Sequence, residues 1–260
     1  MEQLGFIGMG NMAMAIAAGM IQKGAVQKEA VFAYAPHYEK LQANAQKIGF
    51  TPCKTLKEVT KKADTLIMAC KPYQIEDVLK EIKEDLKGKA LLSIAAGWNY
   101  DQYAPYLDET TRFQFIMPNT PSMVGEGVLL FEEKNSLEAE ERKQIQKMFQ
   151  ALGIVIDLPV HLMGIGTALT GCGPAFVDLI IEALGDAGVK YGLPRSQAYA
   201  MISQMIAGSA KLQLETGEHP GVLKDNVCSP AGTTICGVDA LEHAGIRAAM
   251  IDAIDAIMNK

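Results

Sequence analysis

A glycine-rich loop near the start of the sequence limits what this chain can fold into more than any other stretch does. Residues 4–24 read LGFIGMGNMAMAIAAGMIQKG, in which an apolar run leads into Gly8-x-Gly10-x-x-Ala13 and a helix-like segment. Gly8 allows a tight turn, Gly10 lets a pyrophosphate approach the main chain, and Ala13 lets the helix pack closely on the strand. The helix start offers amide donors and a positive dipole to phosphates. The loop therefore predicts a dinucleotide-binding domain, and the alternative is a glycine turn of structural use only.

The first half of the sequence alternates short apolar runs with helix-like segments. The apolar runs lie at 4–8, 31–35, 65–70, 90–96, 113–117 and 128–131, and the helix-like segments lie near 11–23, 39–48, 74–87 and 138–151. Strands that alternate with helices are typical of a parallel sheet with helices on both faces. We therefore expect an α/β fold that begins with an N-terminal Rossmann doubly wound parallel sheet.

The second half of the sequence loses the strands after 153–159. One apolar stripe at helical spacing comprises Phe176, Leu179, Ile180, Ala183, Leu184 and Ala187. This stripe predicts a helix, and further helices are expected from Pro194, after the turn at 227–234 and over 246–258. Their apolar faces are wider than a small monomeric domain can bury, which predicts an oligomerisation surface, with a self-contained bundle as the alternative. We expect an NADP-binding Rossmann domain at 1–160 and an all-helical substrate and dimerisation domain at 161–260.

The end of the second strand indicates which dinucleotide binds. An Asp or Glu there would accept hydrogen bonds from the ribose 2′-hydroxyl and select NAD. This chain has no carboxylate at that point, where Tyr34-Ala35-Pro36-His37 is found, and Glu39 lies in the following helix. Loop amides with His37 or Lys40 would suit a 2′-phosphate, so we expect a preference for NADP(H), with NAD(H) left open. Both side chains also suit an ordinary solvated surface.

Charge and composition narrow the class of protein. The formal net charge of -6 argues against nucleic acid as a partner, because phosphate binding needs a basic face. There is neither a signal-peptide pattern nor a run of about 18 continuous apolar residues, so we expect no membrane span and a cytoplasmic location. Five cysteines without a CxxC spacing are expected to be reduced thiols. Four scattered histidines predict no metal site.

Five further motifs follow the loop in order along the chain. They are ACKP (69–72), SIAAG (93–97), MPNTP (117–121), GCGPAF (171–176) and DNVCSPAGTTICGVDALE (225–242). Together with the glycine loop they resemble the pyrroline-5-carboxylate reductase family, and the resemblance runs from about residue 4 to residue 257. The resemblance implies a Rossmann domain followed by a helical domain, with two subunits interlocked through the helices and sometimes assembled into larger rings. It also implies that NAD(P)H delivers a hydride to C5 of (S)-1-pyrroline-5-carboxylate, which gives L-proline.

The resemblance also assigns roles to particular residues. The expected cofactor contacts are Gly8, Met9, Gly10, Asn11, Met12, Tyr34, Ala35, Pro36, His37, Ala69, Cys70, Lys71, Pro72, Ala95, Ala96, Gly97, Asn119 and Asn226. The expected substrate contacts are Ser229, Gly232, Thr233 and Thr234. A turn of Ser, Gly and Thr at a helix start suits a carboxylate, since it offers hydroxyls and amides. Thr234 is the candidate catalytic residue, as a hydroxyl near the ring nitrogen; a plain helix cap is the alternative.

The sequence departs from the family pattern at a few positions. Phe115 stands where many members have Arg, and Val160 and Gly164 stand where acidic residues are common. Cys172 replaces a Ser, and Ala231 replaces the first Gly of SPGGTT. These changes suggest a divergent paralogue and leave alternatives open: a related NADP-dependent imine reductase, a β-hydroxyacid dehydrogenase, or a non-catalytic NADP-binding protein. The hydroxyacid enzymes carry a Lys that the run 164–179 lacks.

Overall fold

The computed structural model of the chain describes residues 3–260, which form two compact units that divide between Gly171 and Cys172. The first unit is a sheet covered by helices, and the second consists of helices. This order agrees with the predicted fold class. The boundary expected from the sequence lies earlier, at residue 160.

The sheet of the first unit contains eight strands within the described residues, in the order β3-β2-β1-β4-β5-β6-β7-β8. Neighbouring strands pair in parallel, except that β7 runs antiparallel to β6. The strands are β1 (Leu4–Ile7), β2 (Val31–Tyr34), β3 (Thr51–Cys53), β4 (Thr65–Met68), β5 (Ala90–Ser93), β6 (Arg112–Met117), β7 (Gly127–Glu132) and β8 (Gly153–Leu158).

Helices cover both faces of this sheet because successive strand residues point to opposite faces. Phe6 and Ile67 belong to the core beneath α1, α2 and α6, whereas Ile7 and Leu66 belong to the core beneath α3, α4 and α5. The helices are α1 (Asn11–Gln22), α2 (Tyr38–Ile48), α3 (Leu56–Lys62), α4 (Ile75–Ile82), α5 (Tyr100–Tyr103), α6 (Ala139–Phe149) and α7 (Met163–Thr167).

The strand order reverses between β1 and β4, and loops from three strands meet at that point. The Gly8 amide donates to the Tyr34 carbonyl oxygen over 2.8 Å, and the Ala69 amide donates to the Ile7 carbonyl oxygen over 2.8 Å. Ligands of open α/β sheets bind beyond the carboxyl ends of the strands at such a switch point. The fold therefore gathers the loops after β1, β2 and β4 where a ligand is expected.

The second unit comprises α8 (Gly173–Lys190), α9 (Arg195–Thr216), α10 (Pro220–Val227), α11 (Thr233–His243) and α12 (Ile246–Met258). Among residues 172–260, Gly185 and Ala198 alone are buried. Leu179 and Leu184 of the predicted apolar stripe are 63% and 42% exposed on α8. Burial of apolar area is the main force that stabilises a fold, so these helices need a further surface to pack against.

One helical run crosses the boundary between the units. It spans residues 160–190, passes through a π-helical turn at Ala168–Cys172, and in the described part of the chain is the one helix whose length and composition would suit a membrane span. No membrane span was predicted from the sequence, because it contains no run of about 18 continuous apolar residues.

Candidate active site

The glycine loop after β1 has the geometry that its sequence predicts. Gly8 has φ +96°, and a Cβ there would lie 2.7 Å from the main chain of Ala69 and Cys70. Gly10 has φ -79° and begins α1 without a side-chain cap, and a Cβ there would meet no atom within 4 Å. Gly8 is therefore required by the fold, whereas the space over Gly10 lies open at the amino end of a helix, as a pyrophosphate site requires.

A cavity of about 660 Å³ opens beside this loop, and it lies wholly within the first unit. Its volume falls within the range of small-molecule sites, about 300–1,000 Å³. The structure brings ten of the predicted cofactor contacts together in its lining: Gly8, Met9, Gly10, Tyr34, Ala35, Pro36, His37, Ala69, Cys70 and Lys71.

The wall next to β2 is formed by the first turns of α2. His37 precedes that helix and makes no side-chain cap to it, and Lys40 lies one turn further on; both side chains are exposed and line the cavity. Neither has an ion pair or side-chain hydrogen bond among residues 3–260, and no carboxylate follows β2 before Glu39. These two side chains and the start of α2 suit a phosphate on the ribose.

Residues that were not predicted from the sequence also line the cavity, from α2, from the start of α3, from the 3₁₀ helix Pro72–Gln74 and from α4. They are Leu41, Asn44, Leu56, Tyr73, Gln74, Asp77, Val78 and Glu81, with Lys40 and Ile7 completing the lining. The exposed residues among them, Tyr73, Asp77 and Glu81, carry no motif of their own. Their spacing is the available signal, because residues three or four apart share one face of a helix.

The loop after β5, which contains Ala95, Ala96 and Gly97, is anchored at both ends. The Ala95 amide donates to the Ser93 hydroxyl over 3.3 Å, and that hydroxyl donates to the Tyr103 oxygen over 2.9 Å. At the far end, the Tyr100 amide donates to a carboxylate oxygen of the buried Glu132 over 2.9 Å. The three expected contacts therefore lie on a positioned loop, although they do not line the cavity described above.

Removal from solvent raises the pKa of two groups near the site, the buried Glu132 and the half-buried Cys70. Burial raises the pKa of the Glu132 carboxyl group, against the lowering effect of the Tyr100 amide. Its other carboxylate oxygen is buried and has no hydrogen-bond partner among the described residues. Burial also raises the pKa of the Cys70 thiol to about 11, so this cavity residue stays a neutral thiol near neutral pH.

Five other expected cofactor contacts also lie outside the cavity lining. Asn11 and Met12 occupy the first turn of α1, and Pro72 begins the short 3₁₀ helix Pro72–Gln74. Asn119 is buried after β6, where it hydrogen-bonds to main-chain groups. Asn226 belongs to the second unit, where it is exposed on α10.

The turn predicted to bind a carboxylate lies between α10 and α11. The Gly232 amide donates to the Ser229 carbonyl oxygen over 3.0 Å, and a Cβ on Gly232 would lie 2.3 Å from the Ser229 hydroxyl oxygen. Gly232 precedes α11 without a side-chain cap, and the first turn of that helix carries Thr233 and Thr234 and no acidic residue. The turn thus presents hydroxyls and helix-start amides on an exposed surface of this chain.

Two features of this turn bear on its role: the nearby basic side chains are paired, and one alanine has a positive φ. Lys224 pairs with Asp225, and Arg247 pairs with Glu242 at 2.7 Å, so the basic groups of the region are already neutralised. Ala231 has φ +57° and is the non-glycine residue with positive φ among residues 3–260. This explains why a Gly suits that position better, since a Cβ is disfavoured in the left-handed region.

Comparison with known proteins agrees with both units. Residues 161–260 match the family model described as pyrroline-5-carboxylate reductase dimerisation, and residues 3–97 match the model described as NADP oxidoreductase, coenzyme F420-dependent. The chain is 38% identical to pyrroline-5-carboxylate reductase of Treponema pallidum (strain Nichols), covering 98% of each chain. It is 39% identical to the Escherichia coli (strain K12) enzyme of that name, covering 100% of this chain and 97% of that enzyme.

A solved structure shows the same architecture over the whole length. The pyrroline carboxylate reductase of Plasmodium falciparum, solved with NADP bound, is 32% identical and superposes with a TM-score of 0.89 over 99% of this chain and 96% of that one. Full-length likeness in sequence and fold, together with the glycine loop and the motif at 225–242, leads to one conclusion: this chain belongs to the pyrroline-5-carboxylate reductase family.

Proposed function

We propose that this protein is an oxidoreductase of proline biosynthesis, which reduces (S)-1-pyrroline-5-carboxylate to L-proline with NADPH. The observation that carries this proposal is the identity of 38–39% over nearly the whole chain to reductases of that name. The glycine-loop cavity and the turn at 229–234 supply the two kinds of site that the reaction needs. The departures from the family pattern leave both intact.

The cavity fits NADP(H) on the structure's own geometry. The open space above Gly10 and the uncapped start of α1 suit the pyrophosphate, and His37 and Lys40 suit the 2′-phosphate. No carboxylate stands at the end of β2 to repel that phosphate. When bound, NADPH supplies a hydride to C5 of the cyclic imine.

The turn at 229–234 binds the carboxylate of the imine in this proposal. The hydroxyls of Ser229, Thr233 and Thr234 and the amides at the start of α11 hold the anion without a free cation. Such binding fixes the orientation of the ring, which is the main contribution that the protein makes to a hydride transfer. Thr234 is the proposed hydroxyl near the ring nitrogen, and Asn119 and Asn226 remain proposed neighbours of the cofactor.

We propose a homodimer formed through the helices of the second unit. Only Gly185 and Ala198 are buried among residues 172–260, and the family model matched there describes dimerisation. A second copy would cover the apolar faces of α8 to α12, including the run 160–190, which is then an interface helix in a cytoplasmic protein. The five free cysteines fit that reducing compartment.

The activity is tested by following NADPH absorbance as (S)-1-pyrroline-5-carboxylate is added to the purified protein. We expect NADPH consumption with formation of L-proline, and no NADP⁺ reduction with 2-hydroxy or 3-hydroxy acids. Turnover of a hydroxy acid would favour the β-hydroxyacid dehydrogenase alternative. Folded protein that binds NADPH and leaves the imine unchanged would instead be a non-catalytic paralogue.

The assembly is tested by light scattering coupled to size-exclusion chromatography. A mass of twice the 28.1 kDa chain, or an even multiple for a ring of dimers, is expected. Leu179→Lys places a charge at the 63% exposed apolar position of α8 and should weaken the assembly, whereas Lys190→Glu, a charge change at an exposed site of that helix, is its control. A monomer at all concentrations would contradict this proposal.

A further inference from the structure

The cavity beside the glycine loop is bordered by one face of α2 and one face of the segment that leads into α4. From α2 come Lys40, Leu41 and Asn44, and from residues 73–81 come Tyr73 and Asp77, which are four residues apart. Lys40 and Asn44 are four residues apart and share one face of α2, whereas Tyr73 lies in the 3₁₀ helix that precedes α4. The part of the cavity lined by α2 and by residues 73–81 is called the slot below.

The pieces of NADP(H) can be assigned to this slot by their chemistry. Gly10 and the start of α1 suit the pyrophosphate, and His37 and Lys40 suit the 2′-phosphate, which leaves the adenine ring for the space further along. Leu41, Leu56 and Val78 provide apolar lining there, as a flat aromatic ring requires. Tyr73 also lines this space and is 82% exposed, so its ring is free to stack on a base.

Asp77 is an exposed carboxylate in the lining of this slot, where a bound ligand could take the place of water as its hydrogen-bond donor. Its carboxylate has no hydrogen bond or ion pair among residues 3–260, and an ionised carboxylate acts only as an acceptor. Phosphates cannot donate to it, whereas the 6-amino group of adenine is a donor. Gln74 is already engaged, because its side-chain oxygen accepts from the Lys71 amide over 3.2 Å. Glu81 lies one turn beyond Asp77, about 6 Å further along α4.

We propose that Asp77 accepts a hydrogen bond from the 6-amino group of the cofactor's adenine, while Tyr73 stacks on the ring. Asp77 is then a specificity-determining residue that distinguishes adenine from a 6-oxo purine. The inference rests on the proposed function, since it requires that NADP(H) occupy this cavity.

Calorimetric titration of the dimeric wild-type enzyme with NADP⁺ and with nicotinamide hypoxanthine dinucleotide phosphate tests it. The second dinucleotide differs in carrying a 6-oxo group in place of the 6-amino group. The wild type should bind NADP⁺ about tenfold or more tightly, because a charged acceptor facing a carbonyl oxygen is left unpaired. Asp77→Asn should bring this ratio close to one, since an amide can accept or donate.

Loss of the negative charge in Asp77→Asn should raise the affinity for both anionic dinucleotides to the same degree. The ratio of their dissociation constants is therefore unaffected by this general change. Glu81→Gln makes the same charge change one turn away and should keep the wild-type ratio. Tyr73→Ala should weaken both dinucleotides by about tenfold while Tyr73→Phe retains both affinities.

Three results would overturn the inference, the third together with the proposed function. Equal binding of both dinucleotides by the wild type would overturn it alone, provided that the same preparation still oxidises NADPH with the imine. If Asp77→Asn kept the wild-type ratio of the two dissociation constants, the inference would be overturned and the proposed function would not. Failure of the wild type to bind NADP⁺ at all would overturn the proposed function with it.

Discussion

The side-chain amide of Asn119 donates to the Thr170 main-chain oxygen over 3.0 Å. Its side-chain oxygen meanwhile accepts from the Val128 amide over 2.9 Å. Asn119 is 6% exposed, so one buried side chain joins the loop after β6 to the start of β7 and to the π-helical turn at Ala168–Cys172. A further contact of the Asn119 side chain would use the second amide hydrogen, the second lone pair of the oxygen or the apolar part of the side chain.

Asn119→Ala should lower the free energy of unfolding by about 1–3 kcal/mol, because it removes the hydrogen bonds of two partly buried main-chain groups. Denaturant unfolding measures the loss. Asn135→Ala is a matched control, since Asn135 also accepts from one amide, at 3.1 Å, and donates to one carbonyl, at 2.8 Å, but in an exposed loop where water can replace it. Equal losses in the two variants would contradict the structural role of Asn119.

Gly8→Ala and Gly10→Ala should fail in different ways. At Gly8 the residue has a φ of +96°, and the added Cβ would lie only 2.7 Å from main-chain atoms of Ala69 and Cys70. We therefore expect a loss of stability of about 2–4 kcal/mol. At Gly10 the Cβ meets no atom, so the melting temperature should be unchanged while the Kd for NADPH rises about tenfold. Calorimetry gives both quantities, and normal NADPH binding by a folded Gly10→Ala variant would argue against a pyrophosphate at this loop.

Glu132→Gln should remove a pH-dependent cost of burying a carboxylate. Because burial raises its pKa, the folded state binds more protons than the unfolded state above the ordinary Glu value, and stability falls as the pH rises through that interval. The Gln variant can still accept from the Tyr100 amide and lacks this component, so its stability relative to wild type should increase with pH and then level off.

Denaturant unfolding at a series of pH values checks this expectation, with Glu133→Gln, an exposed neighbour, as the control. Glu132→Ala should instead lose about 1–3 kcal/mol, because the Tyr100 amide is left without its acceptor. A constant difference between Glu132→Gln and wild type across the pH series would show that Glu132 is not the source of the slope.

Thr234→Ala should raise the KM for pyrroline-5-carboxylate about tenfold while the Kd for NADPH stays the same, since it removes a hydroxyl assigned to the substrate alone. Steady-state kinetics and a separate cofactor titration measure the two quantities. Thr216→Ala removes a hydroxyl that bonds within α9 and serves as the control. Weakening of both ligands to the same degree would mean that Thr234 has been misassigned.

Ala231→Gly should stabilise the protein by about 0.5–1 kcal/mol, because relief of the positive φ exceeds the added freedom of the unfolded chain. The denaturation midpoint measures the change. Ala43→Gly, in the exposed interior of α2, should lower stability by about 1 kcal/mol and calibrates the comparison. A loss of stability in Ala231→Gly would mean that the Cβ makes a contact worth more than the strain.

Regular patterns in the sequence predicted most strands and helices of the first unit, whereas short elements without a regular pattern were not predicted. The alternation of runs anticipated β1, β2, β4, β5, β6 and β7, together with α1, α2, α4 and α6. The strand Thr51–Cys53 was missed because three residues that include a Pro give no periodic signal. The antiparallel direction of β7 was missed as well, because strand direction depends on the connection and not on the apolar pattern.

Within the site, residues that act through backbone conformation were the predictable ones. Gly8 and Gly10 stand in a motif whose spacing reflects steric needs, and their φ angles and surroundings agree with it. Tyr73 and Asp77 escaped because an exposed Tyr or Asp on a helix looks like ordinary surface until the fold brings another helix opposite. The bonds of Asn119 escaped for a similar reason, since its partner Thr170 lies 51 residues away.

The near absence of buried side chains in residues 172–260 bears on how the enzyme is made in the cell. The first unit leaves the ribosome first and carries its own core, so it can fold before synthesis ends. On the proposed pairing, the later helices complete their packing only when a second newly made subunit arrives. The yield of finished enzyme should then rise more steeply than the rate of synthesis, and a rare unpaired copy is the form that proteases meet.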